Sequence, residues 1–385
     1  MKAITAAELF TSGRRISDPL VLVEDGRIVS ISSRDSQPIP PGAEHHAFPN
    51  AALFPGFVDI HIHGSAGYDV MEGSDSGLKH MAGFLATRGV TSFLATTVTA
   101  ESSALVEAVE KIAAQILDWK VYGAARPIGI HLEGPCISQT RRGVHPEKDI
   151  RNPSIEFFDR IHRAACGTLR LITLAPELPG AIEVIREAVR RGVKVSIGHT
   201  DGTSEDAIAA IAAGATHVTH TFNAMRPLEH RAPGVLGEAL NNAKLTAEII
   251  ADGIHVDPRV VSIFLRCKGL ERSILVTDAI SATGMGDGRY RLGPFEVVVT
   301  GLRAESEGRL AGSVLTLDQA VRNVMQFAGW PLADSVRLAS ANPAAMLGDD
   351  TIGVLCPGNR ADIVVLSPAG EVLQSFVSGA APGLT

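Results

Sequence analysis

Much of what would fix a protein's chemistry at a glance is missing from this chain. It has only four cysteines, Cys136, Cys166, Cys267 and Cys356, and none forms a CxxC pair. Neither a disulfide framework nor a thiolate metal knot is expected, and reduced thiols in a cytoplasmic protein are the simplest account. Positive charge is short: 35 Lys and Arg against 42 Asp and Glu leave a net charge of −7. That disfavours nucleic acid as a partner, which would call for a basic patch or stripe. No apolar run approaches a bilayer span, so no membrane partner is expected. The opening Met1-Lys-Ala-Ile-Thr-Ala-Ala-Glu-Leu-Phe carries an early acid and no long apolar core, unlike a secretory signal. There is no Gly-x-Ser-x-Gly elbow and no cysteine beside a base, which argues against covalent catalysis. Gly284-Met-Gly-Asp-Gly does not follow a strand as a dinucleotide fingerprint must.

What is present suits a large α/β domain. With 385 residues, 45% apolar and 20% charged, the chain fits one (β/α)8 barrel plus a small appendage. The appendage is expected from both termini. Asp25-Gly26 sits between two apolar runs, a hairpin signal, and residues 361–377 repeat that strand-like texture. Neither end has enough strands alone, so the reading is a β-sandwich of residues 1–52 and 356–385 around a catalytic barrel of residues 53–355. Within the barrel, strands are expected at 57–63, 91–97, 127–133, 169–175, 194–199, 217–222, 245–250 and 274–278. Helices at 77–88, 101–117, 154–165, 180–191 and 204–213 alternate with them.

The chain is organised around Phe57-Val-Asp-Ile-His-Ile-His-Gly. Side chains alternate along a strand, so His61 and His63 share a face and can close on one ion. Other strands end in residues of the same kind: Glu133 on the third, His199 on the fifth, His220 on the sixth and Asp278 on the eighth. In a barrel these ends meet on one rim, where active sites of this architecture lie. Imidazole with carboxylate suits a divalent metal, zinc first, with iron, manganese or cobalt as alternatives. Asp278 is placed to serve as general base toward water as well as ligand. His131, two residues before Glu133, is expected to support the ligands or to pack in the core. His217 and His220, three apart, are expected to face opposite ways.

These segments resemble the N-acetylglucosamine-6-phosphate deacetylases of the amidohydrolase superfamily. The resemblance rests on Pro55-Gly-Phe-Val-Asp-Ile-His-Ile-His-Gly, His131-Leu-Glu-Gly-Pro, Gly143-Val-His-Pro, Ile197-Gly-His-Thr, His220-Thr-Phe-Asn-Ala-Met, Ala251-Asp-Gly-Ile-His, Val276-Thr-Asp-Ala and Ala311-Gly-Ser. It implies a main ion held by Glu133, His199 and His220, a second ion at His61 and His63, and Asp278 as acid/base. It also implies that His145 contacts the sugar and orients the amide carbonyl. Val144, Asn223, Ala224, Arg231, His255, Ala311, Gly312 and Ser313 would bind an amino-sugar phosphate. A homodimer with Arg231 reaching across subunits is the expected assembly. Cys136 departs from the bulky residue usual in that family. The activity implied is hydrolysis of the acetamide of N-acetylglucosamine 6-phosphate, in amino-sugar catabolism and cell-wall sugar recycling. The alternatives are the galactosamine epimer, another amidohydrolase substrate, or a sugar-phosphate sensor without turnover.

Overall fold

In the computed structural model, which describes residues 1–11 and 13–383, eight parallel strands lie side by side. They are Phe57–Ile62, Val90–Thr97, Arg126–Glu133, Leu169–Leu174, Lys194–Ile197, His217–Val218, Thr246–Ile249 and Ser273–Leu275, paired in chain order. The last returns to the first through the Ile62–Ala279 bridge and the Asp278 N–H to His61 C=O bond of 2.9 Å, which closes the barrel. The helices Asp75–Thr87, Ser102–Leu117, Ile155–Ala164, Ala181–Arg190, Ser204–Ala213, Gly234–Asn241, Pro258–Lys268 and Leu317–Ala328 follow the strands in turn. Their starts and stops are those the sequence signals: Ser74, Ser154 and Thr203 cap N-termini with side-chain oxygens, and Gly214 ends its helix in the left-handed conformation. Among the described residues no helix is long and apolar enough to cross a membrane.

Both termini build a seven-stranded sheet, as expected. Lys2–Thr11 lies between Pro19–Glu24 and Glu44–Pro55, and Ile363–Leu366 pairs antiparallel with Glu44–Pro55. The Asp25-Gly26 turn joins Pro19–Glu24 to Arg27–Ser33 with φ of 49° and 74°, the left-handed pair that suits a tight hairpin. Alternation sorts its two faces: Leu53, Ile363, Val365 and Phe376 pack in the sheet's own core, while Phe54, Val364 and Leu366 join the barrel core. A second, unanticipated sheet lies between the eighth barrel strand and its helix. Gly288–Leu292, Phe295–Thr300, Arg303–Ser306 and Arg309–Leu310 form an antiparallel meander, turned at Gly293, Gly301 and Gly308 with positive φ. Its apolar side packs on Val98, Ile280 and Val144, beside the barrel's C-terminal rim. The alternation in Phe295-Glu-Val-Val-Val-Thr between those glycines is the signal that marks it.

Gly89 shows how tightly the two bodies meet. Its φ is +81°, and a Cβ there would lie 2.9 Å from Val364 Cγ2 of the terminal sheet and 3.0 Å from Phe57 Cε2 of the first barrel strand. Gly89→Ala combines an unfavourable left-handed residue with overpacking and is expected to cost on the order of 2 kcal/mol. A lowered urea midpoint checks this, and an unchanged midpoint contradicts it.

Candidate metal centre

The chain leaves its regular strands just where the candidate ligands stand. His199 has φ 48°, His220 φ 23° and Asp278 φ 50°, so three strand ends turn through the left-handed region and bring their side chains over the rim. Such backbone costs roughly 1–3 kcal/mol per residue and persists only where surroundings dictate it. His61, on the strand Phe57–Ile62, and His63, one residue past its end, face the site without leaving negative φ.

The six side chains converge. His199 Nε2 and His220 Nε2 lie 3.2 and 3.0 Å from Glu133 Oε1 and 3.1 Å from each other. His61 Nε2 is 3.3 Å from the same oxygen and 3.5 Å from Asp278 Oδ1. His63 Nε2 is 3.2 Å from Glu133 Oε2 and 3.1 Å from Asp278 Oδ1. Glu133 therefore stands at the centre, one oxygen toward His199, His220 and His61 and the other toward His63. All six are buried.

The far side of each ring decides which atom faces that centre. His199 Nδ1–H donates to Arg141 C=O at 3.0 Å and His63 Nδ1–H to Thr96 C=O at 3.1 Å. His61 Nδ1–H donates to the Glu248 carboxylate at 3.0 Å. With the proton on Nδ1, each of these rings in its neutral form turns an Nε2 lone pair inward. His61 Nε2 is buried without a hydrogen-bond partner. Inward lone pairs, ionised carboxylates and an orphaned imidazole nitrogen fit a divalent ion, and three His/Glu/Asp groupings here have ligand atoms within 4.8 Å of one another.

His145 differs. Its Nδ1 accepts from the Thr99 backbone N–H at 3.3 Å, so the proton of the neutral ring sits on Nε2, 3.7 Å from Glu133 Oε2. It faces the site as a donor. A cavity of about 170 Å³ opens above, lined by His63, Glu133, Val144, His145, Asn223, Ala224, His255, Asp278, Gly312 and, from the unanticipated sheet, Leu292 and Leu310. His255 is held by Asp252 through a 2.7 Å bond. Ala311 and Ser313 lie beside this wall, not in it, and the Ser313 hydroxyl donates to Thr277 C=O at 2.6 Å. Arg231 is exposed and outside the lining, on the loop after the sixth strand. Cys136 is buried, and burial pushes its thiol up to about 12.

His131 packs edge-on to His61 and bonds Thr173 Oγ1 at 2.8 Å, a support one layer down. The expectation that His217 and His220 face opposite ways is corrected. Regular strand ends at Val218, the backbone turns, and both side chains reach the barrel interior, with His217 Nε2 2.9 Å from Glu248 Oε1. Glu248 itself was not singled out in the sequence. Its signal is a lone acid in the apolar run Leu245-Thr-Ala-Glu-Ile-Ile.

The charges interlock. Burial alone would lower the His63 imidazole, but Asp278 and Glu133 overcome it and raise it to about 9. Burial would raise Glu133 and Asp278, yet His61 foremost holds both carboxyls below their ordinary range. His199 goes the other way: burial outweighs Glu133 and lowers it to about 4.

The Amidohydrolase family profile matches residues 52–381. The chain is 39% identical to the N-acetylglucosamine-6-phosphate deacetylase of Bacillus subtilis (strain 168), over 96% of this chain and 94% of that protein. It is 37% identical to the N-acetylgalactosamine-6-phosphate deacetylase of Escherichia coli O157:H7, over 95% and 93%. Among solved structures, N-acetyl-D-glucosamine-6-phosphate deacetylase from Mycobacterium smegmatis superposes with a TM-score of 0.91 at 35% identity, covering 99% of this chain and 100% of that one.

The raised imidazole fixes a sign. A group whose folded pKa exceeds its unfolded value stabilises fully below the unfolded value, 6.5 for His63, and no longer above about 9. Chelator-treated protein is expected to lose on the order of 3 kcal/mol of stability as pH rises between those values. Urea midpoints across that window check it, and a constant or rising midpoint contradicts it.

Proposed function

This chain belongs to the amidohydrolase family, and on that premise we propose that it hydrolyses the acetamide of N-acetyl-D-glucosamine 6-phosphate to D-glucosamine 6-phosphate and acetate. It is a hydrolase of amide bonds with a place in amino-sugar catabolism. The observation that carries the reading is Asp278, a buried carboxylate held ionised beside a cluster of metal-capable side chains and open to a sugar-sized cavity. Binding alone would not need that base, which tells against a sensor.

Glu133, His199 and His220 would hold the principal ion, and His61 with His63 a second. A divalent ion there supplies a Lewis acid and lowers the pKa of water bound to it. Zinc suits this donor set best. Asp278 takes the proton from the attacking water as its oxygen adds to the acetamide carbon. His145 Nε2–H donates to the carbonyl oxygen, where negative charge develops. When the C–N bond breaks, Asp278 passes its proton to the departing amine and acetate leaves. Val144, Asn223, Ala224 and Gly312 wall the sugar, and Ala311 and Ser313 brace that wall from behind. His255, oriented by Asp252, takes the 6-phosphate together with Arg231. Because Arg231 stands exposed beyond the cavity lining, it is assigned to the neighbouring site of a cytoplasmic homodimer.

The galactosamine epimer is the second reading, favoured by the 37% identity to the Escherichia coli enzyme named for it. Acetate release from both 6-phosphates and the unphosphorylated sugars decides. The glucosamine epimer is expected to give the highest kcat/KM, and no release from any would overturn the activity. Asp278→Asn keeps size but cannot accept a proton, so turnover should fall about 10²–10⁴-fold. Equal rates for variant and wild type would refute the role of base.

Arg231→Ala should lower kcat/KM for the phosphosugar about 10–10²-fold, the worth of a charged hydrogen bond, and barely affect the unphosphorylated sugar. Mixing Arg231→Ala with Asp278→Asn protomers then tests the cross-subunit arrangement. Recovered activity is expected, because one site of each mixed dimer is intact. No recovery despite confirmed subunit exchange places Arg231 in its own chain's site.

A further inference from the structure

Glu248 stands on the seventh barrel strand, Thr246–Ile249, with no exposed surface and no lysine or arginine in ion-pair distance among the described residues. Burying a carboxylate there is costly unless its partners require it. Three N–H groups converge on it. His61 Nδ1–H and the His220 backbone N–H reach Oε2, each at 3.0 Å, and His217 Nε2 reaches Oε1 at 2.9 Å. Two of these partners are candidate ligands on different strands, and one of them, His220, has a strained backbone with φ 23°.

We infer that Glu248 is the positioning residue that makes His61 a metal ligand through Nε2 and pins the turn that presents His220. The inference rests on the metal reading above. An ionised carboxylate only accepts hydrogen bonds, so the His61 proton is held on Nδ1 and the lone pair on Nε2. That Nε2 has no protein hydrogen-bond partner and faces Glu133 and Asp278. His63 and His199 are oriented by neutral backbone carbonyls, so His61 alone of the inward-facing rings leans on a charged acceptor. His217 completes the brace. Its Nδ1 lies 2.7 Å from Thr246 Oγ1, which ties the acid's other oxygen back to its own strand.

Glu248→Gln tests this with little disturbance of shape. The amide oxygen keeps one acceptor near His61 Nδ1 and His220 N–H, while the charge is lost and the amide can also turn its NH₂ toward His61. The readout is zinc content during equilibrium dialysis against graded chelator, compared among wild type, Glu248→Gln, His61→Ala and the double variant. Glu248→Gln is expected to weaken zinc retention about tenfold, within the range of a ligand's oriented partner, and to cost less than that in the His61→Ala background, where only the His220 turn still depends on it. A separate measurement on wild type does not depend on the variant folding. The imidazole ¹⁵N spectrum of zinc-loaded protein should place the His61 proton on Nδ1, and a proton on Nε2 overturns the inference. Equal zinc retention in wild type and Glu248→Gln, with loss in His61→Ala, removes the positioning role and leaves the metal reading standing. Unchanged retention in His61→Ala removes His61 as a ligand and the positioning role with it, and leaves the principal ion at Glu133, His199 and His220 standing.

Discussion

The site is arranged around one buried carboxylate, Glu133, in the middle of four imidazoles. A carboxylate out of water costs several kcal/mol unless paired and hydrogen-bonded, and among the described residues no arginine or lysine supplies the pairing. The imidazoles do so, and they in turn need Asp278, Glu248 and two backbone carbonyls to fix their rings. A barrel packed with Val, Ile and Leu to its rim would be simpler to stabilise. This one carries charge on the first, third, seventh and eighth strands, and only closure of the sheet brings those charges within reach of one another.

Position is bought with backbone strain. His199, His220 and Asp278 leave their strands in left-handed conformations, and the neighbours that hold them are specific. The Asp278 N–H is tied to His61 C=O, the His220 N–H to Glu248, and His199 Nδ1–H to Arg141 C=O. His145 obeys the opposite rule: a backbone N–H meets its Nδ1 and leaves a proton on the atom that faces the cavity. The same side chain thus offers a lone pair at three positions, His61, His63 and His199, and a hydrogen-bond donor at a fourth. The difference lies in what touches the other nitrogen.

Much of this is legible in the sequence, for a physical reason. The barrel strands announce themselves by apolar runs, and a polar residue at the end of a buried run marks the rim, as with Glu133 and His199. The two-residue alternation that pairs His61 with His63 holds because the chain stays extended through Ile62 and turns into no left-handed conformation at either histidine. It fails for His217 and His220 because their strand stops at Val218, and no propensity shows where a backbone will turn. Glu248 is hard to see for another reason. Its partners come from the first and sixth strands, so its role exists only once the barrel closes. The sheet of residues 288–310 carries its own alternation and glycine turns, but its part in walling the cavity depends on packing against Val98 and Val144.

Whether this cluster is a metal centre can be seen directly. Crystals grown from protein loaded with zinc, and measured on either side of the zinc absorption edge, would show where the ion resides. The account predicts an anomalous peak in coordination distance of Glu133, His199 and His220, with any second peak at His61 and His63. Density confined to the protein surface, with the cluster free of anomalous signal, would contradict it.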